Sequence, residues 1–228
     1  EGDLPFGIRR LLGGLAFCLG LILVIVAGAE LFTGNNLKVM ALASGKITTV
    51  QLARAWLIVY IGNFLGSVAT AGFVFVSGQY MQGAGVVGLN ALTIAKVKCE
   101  LTLLEALTLG ILCNALVCLA VWLCLSARST TDKIVSIIFP ITAFVSAGFE
   151  HSVANMYFIP IGLLIKDFAP SEFWEMIGRQ SQDYASVTWL QFLCGNLPAV
   201  TIGNIFGGAV MVGLVYWFIY LRRTDEPS

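Results

Sequence analysis

The chain has 228 residues, of which 58% are apolar and only 11% are charged, and its mean hydropathy is +0.88. Since a soluble domain carries about 25% charged residues, this composition indicates an integral membrane protein. The 13 basic and 13 acidic residues cancel, and no basic stripe or motif points to nucleic-acid binding. The six cysteines lie mostly in apolar runs and include no Cys-x-x-Cys pair, so we expect neither disulfides nor a metal or cofactor site.

Five apolar regions follow one another along the chain. They cover residues 11–33 with a short continuation at 37–44, residues 50–76, residues 101–126, residues 134–148 continued at 153–165, and residues 188–221. A membrane-spanning helix needs about 20 apolar residues, so the second, third and fifth regions predict continuous spans. Glycines and polar residues interrupt the first and fourth regions, and we predict a broken helix for each of them.

The two interruptions share one motif. Residues 28–35 and residues 148–155 both follow the pattern Gly-x-Glu-x-x-x-x-Asn, and the Ile-Gly-Asn at 61–63 recurs at 202–204. Irregular backbone inside a membrane is tolerated only where it is buried in protein or lines a cavity. Matching interruptions in two halves of a chain therefore indicate a transport site near the bilayer midplane. The alternative is a pair of kinked helices in which the glycines have a purely structural role.

The repeat also predicts the architecture. In the second half a continuous helix at 101–126 precedes the broken helix, whereas nothing equivalent precedes the first one. We therefore expect an all-α integral membrane protein with an inverted three-plus-three helix repeat, two broken helices and a first membrane helix upstream of Glu1. The single transmembrane domain would consist of the rest of the first repeat at 1–76, a connecting loop at 77–100, the second repeat at 101–221 and a polar tail at 222–228.

The connections between the helices predict the orientation. Long polar segments at 77–100 and 166–187 share one side of the membrane, and a short surface helix is expected to start at Pro170 and Ser171. The short connection at 127–133 and the tail share the other side. Of the 13 Lys and Arg residues, seven fall on the tail side and six on the opposite side. The positive-inside rule therefore favours a cytoplasmic tail.

The run Gly-Phe-Glu-His-Ser-Val-Ala-Asn-Met at 148–156 resembles the formate/nitrite transporter family, and so do residues 29–34 and 201–208. The resemblance covers essentially all of the chain. It implies an aquaporin-like protomer with six helices, a homopentamer, and one pore in each protomer rather than along the five-fold axis. The implied protein is a channel of the bacterial inner membrane and not an enzyme. Its implied substrate is a small monovalent anion, formate in the first place, with nitrite or hydrosulfide as alternatives.

Three residues are candidates for contact with the substrate. His151 is the only histidine, and an unperturbed pKa of ~6.5 makes it the one side chain poised to change charge near neutral pH. The resemblance places it in the middle of the pore, where it donates a hydrogen bond or a proton to the anion. It also implies that Thr33 faces His151, although the Thr33 hydroxyl could instead cap the following half-helix. By the same resemblance Asn204 lines the pore, and its repeat mate Asn63 is interpreted as a helix-packing residue.

The resemblance further implies two apolar constrictions. The one on the cytoplasmic side consists of Leu21, Leu31 and Phe32, and the outer one consists of Phe17 and Phe144. Apolar rings of this kind can gate a channel by dewetting.

A buried polar network is the last feature that the resemblance implies. Its members are Lys98, Glu150, Asn155 and Asn114, and it would neutralise the glutamate; Lys96 is the alternative cation. Glu30, the repeat mate of Glu150, is expected to stabilise the first break through backbone N–H groups without binding the anion.

Three other functions fit the sequence less well. A membrane anchor of a redox enzyme would need a second haem ligand beside the single histidine. An intramembrane protease would need a nucleophile and a base that face each other, which the neighbours His151 and Ser152 on a helix do not. A water or glycerol channel typically carries Asn-Pro-Ala at both interruptions, and neither interruption has it.

Overall fold

A computed structural model describes residues 4–222, and these residues form helices without any strand. The helices are α1 Phe6–Ala27, α2 Val39–Ala43, α3 Thr49–Val76, α4 Val86–Cys99, α5 Leu103–Ser126, α6 Thr130–Ala147, α7 Ser152–Phe168, α8 Ser171–Ile177 and α9 Leu197–Ile205. A 3₁₀ turn at Gly34–Lys38 leads into α2. Wide π-helical turns at Gln191–Asn196, Phe206–Leu214 and Trp217–Leu221 extend α9 on both sides. Beyond Arg222, the predicted polar tail lies outside the described residues.

Five of these helical stretches are long and apolar enough to cross a membrane, which confirms the all-α membrane class. They are Phe6–Ala27, Thr49–Val76, Leu103–Ser126, Thr130–Ala147 and Gln191–Leu221. Three of them begin at a capping box, with Thr48, Thr102 and Ser129 as the capping residues. In a capping box the two side chains satisfy backbone N–H groups that the first helical turn leaves free, so these residues define where the spans begin.

The segment 77–100, for which the sequence suggested a connecting loop, is largely helical. It contains α4, a helix of 14 residues whose Leu92, Ala95 and Cys99 are buried. Ala95 packs directly against Gly162 of α7. Asn90, Thr93, Lys96 and Lys98 interrupt its apolar residues, so the segment lacks the long apolar run that marked the other helices. The short surface helix expected near residue 170 is confirmed as α8.

Both chain breaks are present. α1 ends at Gly28 with φ +79°, and α6 ends at Gly148 with φ +77°. This left-handed conformation suits glycine because a Cβ would crowd the backbone, and it turns the chain out of the helix. The first break leads into the 3₁₀ turn and α2, and the second leads into α7, which begins with His151 as its capping residue.

Packing brings the two breaks together. α1 and α6 run antiparallel, since Gly14 lies against Thr142 while Cys18 Sγ lies 3.7 Å from the carbonyl oxygen of Ile138. α5 packs against both α6 and α9, and α3 and α4 pack against α7. The contact between α5 and α9 is very close, because Gly203 and Gly207 face the α5 backbone. Among the described residues, two larger apolar clusters result, one among α1, α5 and α6 and the other around α7, and a small third cluster lies between α5 and α9.

The close contact between α5 and α9 predicts a sensitive position. We expect Gly207→Ala to destabilise the protein, because the added Cβ would lie 2.1 Å from the carbonyl oxygen of Ile111 and would force two backbones apart. Overpacking of this kind costs about 1–3 kcal/mol. The thermal midpoint of the detergent-solubilised protein should fall by several degrees. Gly72→Ala is the control, since a Cβ there meets no atom within 4 Å. Equal midpoints for the two variants would contradict the prediction.

Candidate functional site

The centre of the site is a contact between the two chain breaks. Nε2 of His151 lies 2.9 Å from Oγ1 of Thr33, and both side chains are buried. The other ring nitrogen, Nδ1, accepts the backbone N–H of Ala154 at 3.1 Å. A neutral imidazole has one donor and one acceptor nitrogen, so the neutral ring carries its hydrogen on Nε2 and donates it to Thr33.

This arrangement leaves the Thr33 hydroxyl hydrogen free to point at a third group. Oγ1 makes no capping hydrogen bond to the 3₁₀ turn that follows, so the alternative in which Thr33 only caps the half-helix is wrong. The backbone of Thr33 is held in place, because its carbonyl oxygen accepts from Asn114 Nδ2 and Cys118 Sγ. The result is a short chain of donors, from Nε2–H to the threonine oxygen and from the threonine O–H to an acceptor.

Two aromatic rings border the histidine. Phe144 stacks on the His151 ring at a centroid distance of 6.0 Å, and Phe17 meets it edge-on at 6.5 Å. The two phenylalanines also touch each other, with centroids 5.6 Å apart. The structure therefore brings the predicted outer constriction residues together beside the histidine.

The residues predicted for the other constriction do not all share one place. Leu21 and Leu31 belong to the apolar cluster that contains Phe144. Phe32 is buried elsewhere, against Tyr60 and Trp56 of α3, with centroid distances of 4.8 and 6.2 Å. A role for these three residues in a constriction stays a prediction.

A closed polar ring lies next to the histidine. Lys98 Nζ donates to Glu150 Oε1 at 2.8 Å, and Asn155 Nδ2 donates to Glu150 Oε2 at 2.7 Å. Asn155 also donates to Asn196 Oδ1, and Asn196 Nδ2 donates to the backbone carbonyl of Lys98, which closes the ring. The buried carboxylate is thus paired with an ammonium and hydrogen-bonded on both oxygens, as a charge in a low-dielectric site requires.

One residue of the predicted polar network was assigned wrongly from the sequence. Asn114 does not join it; its Nδ2 lies 3.2 Å from the Thr33 carbonyl and 2.6 Å from that of Asn204. Asn114 therefore ties the first break to α9, and Asn196 takes the expected place beside Asn155. Asn196 could have been predicted from the sequence, because it is a polar residue within the apolar run 188–221, and polar residues inside a membrane span usually have a functional or structural partner. Lys96, the alternative cation, binds the backbone of Asp183 instead.

Glu30 is stabilised differently from the expectation. Its carboxylate accepts from the Asn35 side chain and lies 3.5 Å from Lys38 Nζ, and no backbone N–H is bound to it in the described part of the chain. The Glu30 side chain is 60% exposed, so this ion pair contributes far less than the buried one at Glu150.

Some buried polar atoms in this region have no hydrogen-bond partner among the residues that the structure describes. Within residues 4–222, Oδ1 of Asn114, Oγ of Ser152 and Oδ1 of Asn155 are buried without a hydrogen-bond partner in the protein. Buried polar atoms normally have partners, so such a group marks a place for water or a small polar ligand. From the sequence, Ser152 is a candidate only as a nucleophile, and its position beside His151 is the signal that places it near the site.

Comparisons with known proteins agree with one another. The profile of the family described as formate/nitrite transporter matches residues 1–218. The chain is 50% identical to the formate channel FocA of Escherichia coli (strain K12), over 99% of the chain and 79% of that protein. It is 46% identical to the formate channel FocA of Haemophilus influenzae, over 96% of the chain and 77% of that protein.

Two solved structures are similar to the fold. One is a pentameric formate channel with formate bound, with a TM-score of 0.91 and 50% identity, covering 96% of this chain and 86% of that chain. The other is an FNT family ion channel, with a TM-score of 0.79 and 30% identity, covering 95% of this chain and 79% of that chain.

The polar ring predicts a large effect from the loss of its cation. Lys98→Met should destabilise the protein by about 3–5 kcal/mol, because it leaves the buried Glu150 carboxylate without its partner charge. The measurement is the thermal midpoint of the purified assembly. The double variant Lys98→Met/Glu150→Gln should recover much of the loss. Lys96→Met is the matched control, since its ion pair with Glu100 is exposed. A drop no larger than that of the control would contradict the prediction.

Proposed function

We infer the function of this chain from its family, because the chain belongs to the formate/nitrite transporter family. It is a membrane channel that conducts formate through a pore in each protomer of a homopentamer. The observation that carries this proposal is the buried contact between His151 Nε2 and Thr33 Oγ1 at the meeting point of the two chain breaks. A buried donor chain beside apolar rings suits a small anion that must leave water for a short distance.

We propose that the Thr33 hydroxyl is the group that meets formate first. A formate oxygen accepts the free hydroxyl hydrogen, while Nε2–H of His151 donates to the same threonine oxygen. A hydroxyl that accepts one hydrogen bond becomes a stronger donor in the next, so the histidine polarises the threonine towards the anion. Asn204 lies close to this pair, because it is hydrogen-bonded to the backbone of Glu150 and Ser152 on either side of His151.

Transfer of a proton to formate needs a further step. Neutral His151 would become an imidazolate if it gave up its only ring hydrogen, which is not accessible near neutral pH. The ring can give a proton only after Nδ1 has gained one, and Nδ1 is occupied by the N–H of Ala154. In this conformation His151 is therefore a hydrogen-bond donor. It becomes a proton relay only when the first turn of α7 releases Nδ1.

A proton would ease the passage of formate through a dry pore. Formic acid has a pKa of about 4, like other carboxylic acids, and the anion predominates near neutral pH. Moving an anion into an apolar constriction is costly, whereas the neutral acid crosses far more easily. We propose that Phe17 and Phe144 form the outer constriction, and that Leu21, Leu31 and Phe32 form the cytoplasmic one.

We also propose the aquaporin-like inverted repeat, with halves at 1–76 and 101–221 joined through 77–100. The argument rests on glycine packing. Gly203 and Gly207 lie against the backbone of α5, while Gly62 and Gly66 at the same places in the first half meet nothing within 4 Å. The latter two line an open hollow of about 290 Å³. We propose that a helix upstream of this sequence fills the hollow, as α5 covers α9.

The membrane location and orientation complete the proposal. We place the protein in the bacterial inner membrane with the long connections outside and the tail in the cytoplasm. The support is the distribution of Lys and Arg, seven of 13 on the tail side, together with the bacterial origin of the relatives.

Formate flux into proteoliposomes that contain the full-length protein tests the function. We expect saturable, pH-dependent formate uptake, with nitrite measured in parallel at two pH values. His151→Phe should abolish the flux or its pH dependence, because the ring nitrogen that donates to Thr33 is lost. Cys194→Ala is the control, since the Cys194 side chain is exposed. Wild-type uptake equal to that of empty vesicles would overturn the proposal.

The threonine hydroxyl can be tested separately. Thr33→Val keeps the shape but removes the hydroxyl that donates to formate, and a hydrogen bond to a charged group is worth about 1.5–3 kcal/mol. We expect formate flux to fall at least about tenfold, since 1.4 kcal/mol corresponds to a factor of ten. Thr33→Ser keeps the hydroxyl and should remain within a few-fold of wild type. Equal flux in the valine and serine variants would show that the hydroxyl has no part in conduction.

A further inference from the structure

Two asparagines, one in each half, make the same two hydrogen bonds to the two chain breaks. Asn63 Nδ2 donates to the carbonyl oxygen of Glu30 at 3.0 Å, and its Oδ1 accepts the N–H of Phe32 at 2.9 Å. Asn204 Nδ2 donates to the carbonyl oxygen of Glu150 at 3.0 Å, and its Oδ1 accepts the N–H of Ser152 at 2.9 Å. Each amide thus spans a glutamate and the second residue after it.

These bonds fall where the backbone has lost its helical partners. Gly28 and Gly148 turn the chain out of α1 and α6, so the peptide groups that follow have no carbonyl or N–H one turn away. A side-chain amide carries one acceptor and two donor hydrogens on a planar frame, so it can satisfy a neighbouring C=O and N–H at once. Each asparagine therefore provides one donor and one acceptor that the missing turn of helix would have provided.

Asn204 has no donor left for a ligand. Its second amide hydrogen goes to the carbonyl oxygen of Gly110 on α5 at 2.8 Å, and the residue is fully buried. Both amide hydrogens of Asn204 therefore donate to backbone oxygens. An anion could take a hydrogen bond from Asn204 only if the second break lost its bond to Glu150 or α5 lost its bond at Gly110.

The two clamps hold the residues beside the central pair. Asn63 fixes the N–H of Phe32, which directly precedes Thr33, and Asn204 fixes the N–H of Ser152, which directly follows His151. The 2.9 Å contact between Thr33 and His151 joins the two clamped segments. A shift of either segment would move one partner of this contact relative to the other.

We propose that Asn63 and Asn204 are a matched pair of positioning residues that align Thr33 with His151, and that neither is a ligand of the permeant anion. This inference rests on the proposed function for its transport consequences and on geometry alone for its structural ones. It replaces the sequence-based interpretations of Asn204 as a substrate contact and of Asn63 as a helix-packing residue.

The first test is a nitrogen NMR spectrum of ligand-free protein labelled with ¹⁵N-histidine in lipid nanodiscs. His151 is the one histidine of this sequence, and its signals are identified by their loss in His151→Phe. We expect Asn63→Leu and Asn204→Leu each to shift the Nε2 and Nδ1 signals, because both variants disturb the contacts to Thr33 and Ala154. Asn90→Leu is the control, since Asn90 is exposed on α4 and should leave the spectrum unchanged.

The second test separates positioning from binding through the concentration dependence of formate flux. We expect the maximal flux to fall at least tenfold in both leucine variants, with a half-saturating concentration within about a factor of three of wild type. A ligand role for Asn204 predicts instead that its variant alone has a raised half-saturating concentration. Asn63→Gln and Asn204→Gln keep the amide at a longer reach and serve where a leucine variant fails to assemble.

The outcomes distinguish this inference from the proposed function. An assembled Asn204 variant with a wild-type ligand-free spectrum and a selectively raised half-saturating concentration would overturn the inference. An unchanged spectrum and flux in the Asn63 variant would also overturn it. Absence of formate flux in the wild type would refute the proposed function, and the ligand-free spectra would still decide whether the asparagines position His151.

Discussion

The structure depends on one constraint, the satisfaction of backbone polar groups where a helix stops inside an apolar environment. Hydrocarbon offers no hydrogen bonds, so each free N–H or C=O must find a partner in the protein. At both breaks a left-handed glycine ends the helix and an asparagine from another helix takes over the freed groups. Each break is thus tied by hydrogen bonds to another helix, and Oγ1 of Thr33 in one break lies 2.9 Å from Nε2 of His151 at the other.

The charges around the central pair are arranged to leave it neutral. The Lys98 ammonium and the Glu150 carboxylate cancel each other within 2.8 Å, and the amides of Asn155 and Asn196 complete their hydrogen bonds. At the proposed site, formate would therefore meet neutral donors in an apolar frame and no fixed cation in direct contact. A channel substrate must bind well enough to enter and weakly enough to leave, and neutral donors meet that requirement better than a free ammonium would.

Small residues carry the tertiary arrangement that makes this possible. In lipid, helices gain little from burying apolar surface, so close backbone contact between glycine-rich faces provides much of the association. The α5–α9 contact brings the Gly110 carbonyl within 2.8 Å of Asn204, and through Asn204 it reaches the second break. The packing of the spans and the geometry of the site therefore depend on each other, because the same helix contact determines both.

Local features of the sequence determined the membrane class and the positions of the two breaks, whereas the place of His151 and the pairing of Lys98 with Glu150 came from the family resemblance. Apolar runs and buried charges can be identified along the chain because burying a charge is costly wherever it lies. Only the tertiary structure decided that 77–100 contains α4, that Asn196 and not Asn114 completes the polar ring, and that Asn204 has no free donor. These outcomes depend on partners that are about 40 to 100 residues away in the chain. A side chain's hydrogen-bonding capacity is a property of its residue type, but the groups that use it are set by which helices pack together.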